Sequence, residues 1–177
     1  MSVAALTAVA LTGRTATAQN VTVPALKAAF LYNFAKFTEW PAEAAPPGAP
    51  LVLCVLGDGD VADALEGTVK ARSIDGHDLS IRRVKLDSTV RACHLLYVSS
   101  LDEKRSLELL DLVKGASVLT VSDLDHFAQL GGVAHFFTEA GKMRFAINVE
   151  SAQRAKIHLS SKLLGLATVV KDERNVP

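Results

Sequence analysis

Apolar and polar positions along the chain fall into short segments whose spacing predicts alternating helices and strands. In residues 23–40, apolar side chains recur at helical spacing and form one face: Leu26, Phe30, Phe34 and Phe37. Trp40 and Pro41 end this helix, because a proline disfavours the helical conformation in the residue before it. An aromatic face of this kind is typical of a helix that packs on a core, not of a cofactor site.

After a linker rich in proline and alanine at residues 42–50, apolar runs alternate with amphipathic segments. The predicted strands are residues 51–56, 79–86, 94–98 and 117–121. The predicted helices are residues 61–66, 103–113 and 123–129. Strands that are apolar throughout and alternate with helices indicate a mostly parallel sheet covered on both faces. The mixed pattern of residues 79–86 places that strand near an edge of the sheet.

The last third of the chain has a different pattern. Residues 133–138 and 143–149 predict a β-hairpin with a four-residue loop. Residues 150–164 predict a helix with a break near His158, after which Ser160 or Ser161 caps a second piece. We therefore expect a single-domain α/β sandwich. Its central sheet is mostly parallel with an antiparallel hairpin edge, and helices cover both faces.

The first residues differ from this domain and are typical of an export signal. Residues 1–11 are small and apolar, and Ala16-Thr17-Ala18 fits the small-x-small cleavage rule before Gln19. No lysine or arginine precedes the apolar run, so a disordered or wrongly started N-terminus is the alternative. We interpret residues 1–18 as a signal peptide and residues 19–177 as one mature domain. The rest of the sequence contains no run of 18 or more apolar residues, so it predicts no membrane span.

Charge and cysteine content narrow the class of protein further. Lys and Arg number 19 and so do Asp and Glu, so no basic excess favours nucleic acid as a partner. The two cysteines, Cys54 and Cys93, suggest one disulfide in an exported chain, with two buried thiols as the alternative. Cys54 lies inside the first predicted strand and Cys93 just before the third, and these two strands are often neighbours in a doubly wound sheet.

The sequence gives only weak signals for catalytic residues. Gly57-x-Gly59-x-x-Ala62 follows a strand as a dinucleotide motif would, but Asp58 and Asp60 would repel a pyrophosphate, which favours a simple tight turn. Ser99 and Ser100 follow a strand, where a helix N-cap explains them equally well. The five histidines show no metal-binding spacing. The sequence therefore predicts no catalytic residue, cofactor or metal, and a protein that is not an enzyme.

Several segments together resemble the YfiR-like family of periplasmic proteins. They lie in order across nearly the whole mature chain: residues 27–41, 93–99, 118–123, 127–132 and 143–148, then Ala152, Ala155 and residues 159–167. Each segment is weak alone, whereas their order and spacing make the resemblance specific.

This resemblance implies a negative regulator in the periplasm. Such proteins bind the periplasmic sensor domain of an inner-membrane diguanylate cyclase and hold the enzyme inactive, so cyclic-di-GMP and biofilm formation stay low. Stress or capture by an outer-membrane lipoprotein releases the cyclase. The resemblance also implies a homodimer, and Cys54 and Cys93 match a stabilising pair. A second cysteine pair found in some members is missing here, where Ala128 and His135 stand instead.

The partner surface is expected on the hairpin, with His135, Phe137 and Met143 as candidate contacts. Phe136 and Phe137 must point to opposite sides of a strand, so one of them packs under a helix or is exposed. Two alternatives remain open. One is a small-molecule-binding or nucleotide-binding Rossmann-like domain that uses the Gly57–Ala62 turn, and the other is an envelope scaffold without a cyclase partner.

The signal peptide leads to a first prediction. Expression of the full chain in a Gram-negative host should yield a periplasmic protein that begins at or near Gln19, about 18 residues shorter than the encoded chain. Intact-mass spectrometry of the periplasmic fraction measures this directly. Full-length protein that retains Met1 in the cytoplasmic fraction would contradict the assignment.

Overall fold

The computed structural model of the chain describes residues 21–173, so the predicted signal peptide lies outside the described residues. The helices are α1 (Val23–Lys36), α2 (Gly59–Val69), α3 (Glu103–Val113), α4 (Val149–Arg154) and α5 (Ser161–Leu164). The strands are β1 (Thr38–Glu39), β2 (Leu51–Leu56), β3 (Ser73–Ile74), β4 (His77–Arg83), β5 (Leu95–Val98), β6 (Leu119–Ser122), β7 (Ala134–Glu139), β8 (Lys142–Asn148), β9 (His158–Leu159) and β10 (Thr168–Val170).

Within the described part of the chain, eight strands form one sheet in the order β10-β8-β7-β6-β5-β2-β4-β3. Five successive strands of this order, β4, β2, β5, β6 and β7, run parallel to one another. β8 is antiparallel to β7, and β3 is antiparallel to β4. β10 runs parallel to β8 and forms the outer edge. The predicted α/β sandwich with a mostly parallel sheet is therefore confirmed, and a short strand is added beyond the hairpin.

Two apolar clusters cover the two faces of this sheet. One face packs against α1 and α2 and contains Leu53, Tyr97 and Phe136. The other face packs against α3 and a 3-10 helix at Ser88–Ala92, and contains Cys54 and Leu96. All six residues of β2 are buried, because the strand lies in the middle of a sheet that is covered on both sides.

Helix α1 begins at a cap formed by Thr22, whose hydroxyl accepts a hydrogen bond from the Ala25 N–H at 3.3 Å. It ends at Lys36, four residues before the predicted end at Trp40. Long-range pairing explains the difference, because Thr38 and Glu39 form β1 with β9. A local proline signal could not reveal that the chain leaves the helix earlier.

Other predicted elements differ from the structure in their length or kind. The helix predicted at residues 61–66 is longer, because Asp58 caps it and it runs from Gly59 to Val69. Residues 123–129 form turns, not a helix. The strand predicted at residues 79–86 is His77–Arg83, paired on its outer side with the unpredicted strand β3.

The hairpin turn is tighter than predicted. Glu139 pairs with Lys142, so the loop contains two residues and not four. Ala140 and Gly141 both have positive φ, 47° and 72°, which is the conformation that matches the twist of a two-residue hairpin. Thus Glu139 is the last residue of β7 and Lys142 is the first residue of β8.

The helix predicted at residues 150–164 is broken, as expected near His158. α4 and α5 are separated by β9, and Ser160 caps α5 through a hydrogen bond from the Leu163 N–H at 3.3 Å. This confirms one of the two proposed caps. The short strand β9 between the two helices was not predicted.

The predicted disulfide is confirmed. Cys54 lies in β2 and Cys93 lies directly before β5, two neighbouring strands, and their Cα atoms are 5.8 Å apart. Both residues are buried in the cluster beside α3, at 0% and 3% exposure. The bond therefore joins the centre of the sheet to the end of the 3-10 helix.

Removal of this bond leads to a second prediction. Cys54→Ala with Cys93→Ala should lower the free energy of unfolding by about 2–4 kcal/mol, because the unfolded chain loses a cross-link over a long loop. Urea denaturation measures the change. Reduced wild-type protein is the matched control and should fall to a similar stability. A double variant as stable as the oxidised wild type would contradict the prediction.

Candidate functional site

The carboxyl ends of β2, β5 and β6 meet at one edge of the sheet. The chain leaves β2 toward β4 on one side and later returns to β5 on the other, so β2 and β5 flank a topological switch point. In open α/β sheets, ligands bind at such points. The side chains at this edge are therefore the leading candidates for a functional site.

Four side chains form a polar group there, which we call the switch-point cluster: Lys27, Asp58, Tyr97 and Asp123. The Lys27 Nζ lies 2.7 Å from Asp123 Oδ2 and 3.9 Å from Asp58 Oδ2. It also donates to the Tyr97 hydroxyl at 2.9 Å, and that hydroxyl donates to Asp123 Oδ2 at 3.1 Å. α1 supplies the lysine, β5 the tyrosine, and the turns after β2 and β6 the carboxylates.

Burial and hydrogen bonds determine the protonation of this cluster. Burial disfavours the charge on Lys27, but its hydrogen bonds to Asp123 and Tyr97 outweigh burial and raise the pKa of the lysine. Burial of Tyr97, only partly offset by Lys27, raises the pKa of the phenol to about 12. At neutral pH the lysine is an ammonium and the tyrosine a phenol. Neither group is therefore a ready nucleophile or general base.

The glycine turn at the same edge is shaped by packing. Gly57 has a φ of +91°, and a Cβ there would lie 2.3 Å from the Ser99 carbonyl oxygen. Asp58 Oδ1 accepts a hydrogen bond from the Val61 N–H at 3.0 Å, so the chain's own carboxylate occupies the N-terminus of α2. This geometry favours the interpretation of the motif as a tight turn, because a pyrophosphate would compete with that carboxylate.

Ser99 and Ser100 do not cap α3, so the N-cap interpretation was wrong. Asp102 is the cap, through a hydrogen bond from the Arg105 N–H at 2.8 Å. The Ser99 hydroxyl instead points to Asp123 Oδ2 at 3.5 Å, at the edge of the switch-point cluster. Within residues 21–173, no group of three or more His, Cys, Asp or Glu side chains could hold a metal ion.

The outer half of the hairpin extends past its neighbours. β6 pairs with β7 only at Ala134 and His135, and β10 pairs with β8 only at residues 146–148. Residues 136–145, which we call the ribbon, therefore pair only with each other among the described strands. Both outer edges of this ribbon lie outside the sheet ladder.

The three predicted contact residues lie on different faces of the hairpin. Phe136 packs under α1, with its ring 5.7 Å from that of Phe34, so Phe137 points to the opposite face and is half-buried beside His135. Met143 is also half-buried but packs on the α1 side. The structure thus brings His135 and Phe137 together, with ring centroids 6.0 Å apart, and separates Met143 from them.

His135 is the least accessible of the three, at 6% exposure. Its Nδ1 accepts a hydrogen bond from the Ala128 N–H at 3.4 Å, which ties the preceding loop to β7. Burial, together with the nearby His126, lowers the pKa of His135, so the ring is neutral near pH 7. Phe137 and Met143 are therefore the candidates whose side chains reach the surface.

Sequence reasoning missed Lys27, Tyr97 and Asp123 as a group. All three lie in the segments that carry the family resemblance, but Lys27 is 70 residues from Tyr97 and 96 from Asp123. No local pattern relates positions so far apart. Only the order of the strands brings them to one edge.

Comparison with known proteins identifies the family. A family model described as YfiR/HmsC-like matches residues 24–168, and the chain belongs to this family. The family is regulatory and non-catalytic, and membership supports a periplasmic role in cyclic-di-GMP signalling at the level of the family.

A solved structure of a conserved domain protein from Vibrio cholerae is also similar. It has 14% sequence identity and a TM-score of 0.45, over 68% of this chain and 55% of that protein. The present chain therefore spans little more than half the length of that protein.

Within residues 21–173, no helix is long and apolar enough to cross a membrane.

The switch-point cluster leads to a third prediction. Lys27→Met keeps the apolar stem but leaves two carboxylates without their cation, and should lower the free energy of unfolding by about 1–3 kcal/mol. Adding Asp123→Asn should recover part of that loss, because it removes one of the uncompensated charges. Urea denaturation of the single and double variants measures the coupling.

Lys36→Met is the matched control, since Lys36 is exposed at the other end of the same helix. Its effect should stay within about 0.5 kcal/mol. If Lys27→Met were as mild as Lys36→Met, the cluster would not hold α1 on the sheet.

Proposed function

We propose that this protein is exported to the periplasm, where it binds the periplasmic sensor domain of an inner-membrane diguanylate cyclase and holds that enzyme inactive. The match to the YfiR/HmsC-like family over residues 24–168 is the observation that carries this proposal. The switch-point cluster supports it, because the most enzyme-like location in the fold is occupied by Lys27, Tyr97 and Asp123 bonded to one another.

The mechanism is a shift of population between two states of the cyclase. The regulator binds the inactive conformation more tightly than the active one, and the difference between these two affinities sets the degree of repression. Capture of the regulator by an outer-membrane lipoprotein would remove it from the cyclase. A homodimer of the regulator would present two binding surfaces.

The ribbon is the part of the molecule that we propose as the docking surface, together with the start of α4. Its strands extend past β6 and β10, so its two backbone edges are free of pairing with other described strands. Phe137 and Met143 are half-buried and apolar, as anchor residues at protein interfaces often are. His135 contributes from beside Phe137, because the two rings lie on the same face of β7 with their centroids 6.0 Å apart.

Phe137→Ala and Met143→Ala provide the test and the fourth prediction. Each variant should weaken binding to the cyclase sensor domain by about 1–4 kcal/mol, because a buried anchor is lost, while the melting temperature changes little. Cyclic-di-GMP in cells and the affinity for the isolated sensor domain measure the effect. The two variants report on opposite faces of the ribbon.

Tyr32→Ala is the matched control, since Tyr32 is also a half-buried aromatic residue but lies on α1 against Arg72. It should repress the cyclase as the wild type does. If the ribbon variants repress the cyclase as the wild type does, the ribbon is not the docking site. The same holds if they lose repression only in proportion to their loss of stability.

A further inference from the structure

A groove opens between α1 and α5 on the same side of the sheet as Met143. Its apolar lining comes from three elements and the turn after α5: Phe30, Phe34, Phe37, Phe145, Leu163 and Leu166. Phe34, Phe145 and Leu163 are buried at 1%, 4% and 4% exposure and form the floor. Phe30 and Phe37 are half-buried, so their rings present part of their surface to the opening.

Leu166 is the most exposed large apolar side chain of the described residues, at 73%. It follows α5 and lines the groove. Leu166 is therefore not buried within its own fold, and it lies beside the half-buried rings of Phe30 and Phe37. Leu166 and the half-open aromatic rings together form apolar surface that a partner can cover.

The size of the groove identifies what it can hold. Its volume is about 210 Å³. Sites for drug-sized ligands have roughly 300–1,000 Å³, so this groove is too small for most of them. It matches one large side chain, which is the typical content of a pocket at the centre of a protein interface.

Charge at the groove further defines the occupant. Lys162 and Asn33 are its polar lining residues, and none of the lining residues is acidic. Lys162 is exposed, so its ammonium is free to meet a carboxylate from outside. An apolar side chain with an acidic neighbour complements this combination of aromatic walls and a cationic lining residue.

We propose that this groove is the anchor pocket for the partner protein, and that it holds one large apolar side chain whose acidic neighbour pairs with Lys162. The inference rests on the proposed function and adds the chemistry of the partner's contact. The groove is also continuous with the ribbon. Phe145 lines the groove and is the last residue of the ribbon, and Met143 lies two residues before it on the same face of β8.

A second copy of this chain fits the groove less well. In a symmetric dimer the same patch meets itself, so Lys162 of each copy would approach the other across the axis. The groove lining offers no carboxylate to separate those charges. Like charges brought together across an interface disfavour that arrangement.

The test and fifth prediction use Leu166→Glu, which places a charge at an exposed position and should leave the fold intact. It should weaken binding to the sensor domain of the repressed cyclase by at least about tenfold and raise cyclic-di-GMP in cells. Val23→Glu is the control, because Val23 is also exposed, at 59%, but lies at the start of α1. It should bind as the wild type does.

Lys162→Glu and Lys162→Arg test the charge. The glutamate variant should weaken binding and reduce its dependence on salt, whereas the arginine variant should keep both. Melting temperatures of all variants confirm that they are folded. Equal effects of the two Lys162 variants would overturn the acidic character proposed for the partner.

The outcomes separate this inference from the proposed function. A wild-type gene that fails to lower cyclic-di-GMP in a strain without its own copy refutes the proposed function. A repressing wild type together with a fully repressing Leu166→Glu refutes the anchor pocket alone. If Leu166→Glu abolishes self-association in sedimentation but leaves the affinity for the sensor domain unchanged, the occupant is a second copy and the inference is wrong.

Discussion

The packing of α1 against the sheet is the contact on which the rest of the described structure depends. At its C-terminal half, Phe34 lies 4.9 Å from the ring of Phe145 and 5.7 Å from that of Phe136, ring centroid to ring centroid. At its N-terminal half, Lys27 joins Tyr97 and Asp123. Apolar contact supplies most of the stabilisation, and the polar cluster fixes the position of the helix along the sheet.

This packing determines which surfaces remain for function. The helix places its lysine at the edge where α/β folds bind ligands, and there Lys27, Asp123 and Tyr97 are hydrogen-bonded to one another. The same helix leaves its aromatic side open next to α5, where Phe30 and Phe37 line a groove. The groove is the apolar surface on this side of the molecule that we propose as the anchor pocket.

The disulfide acts on the opposite face. Cys54 and Cys93 connect two central strands beside α3, away from α1 and the ribbon. Both candidate binding surfaces therefore lie on parts of the molecule that the cross-link does not touch. The cross-linked centre of the sheet and the extended ribbon are therefore separate parts of the described fold.

The sequence by itself indicated the alternation of helices and strands and the apolar centre of the sheet, and its two cysteines suggested one disulfide. The alternation and the apolar centre follow from local patterns, since six consecutive apolar residues such as those of β2 are typical of a strand buried on both faces. It also indicated the family, through motifs that are ordered along the chain.

Only the tertiary structure decided the end of α1 at Lys36, the contacts of Lys27 and the groove beside Leu166. Each depends on residues far apart in sequence: β1 pairs with β9, and the groove joins α1 to α5. Local spacing encodes the conformation of a segment and the face that it buries. It carries no information on which distant segment will lie beside that face, because the order of strands in the sheet sets that.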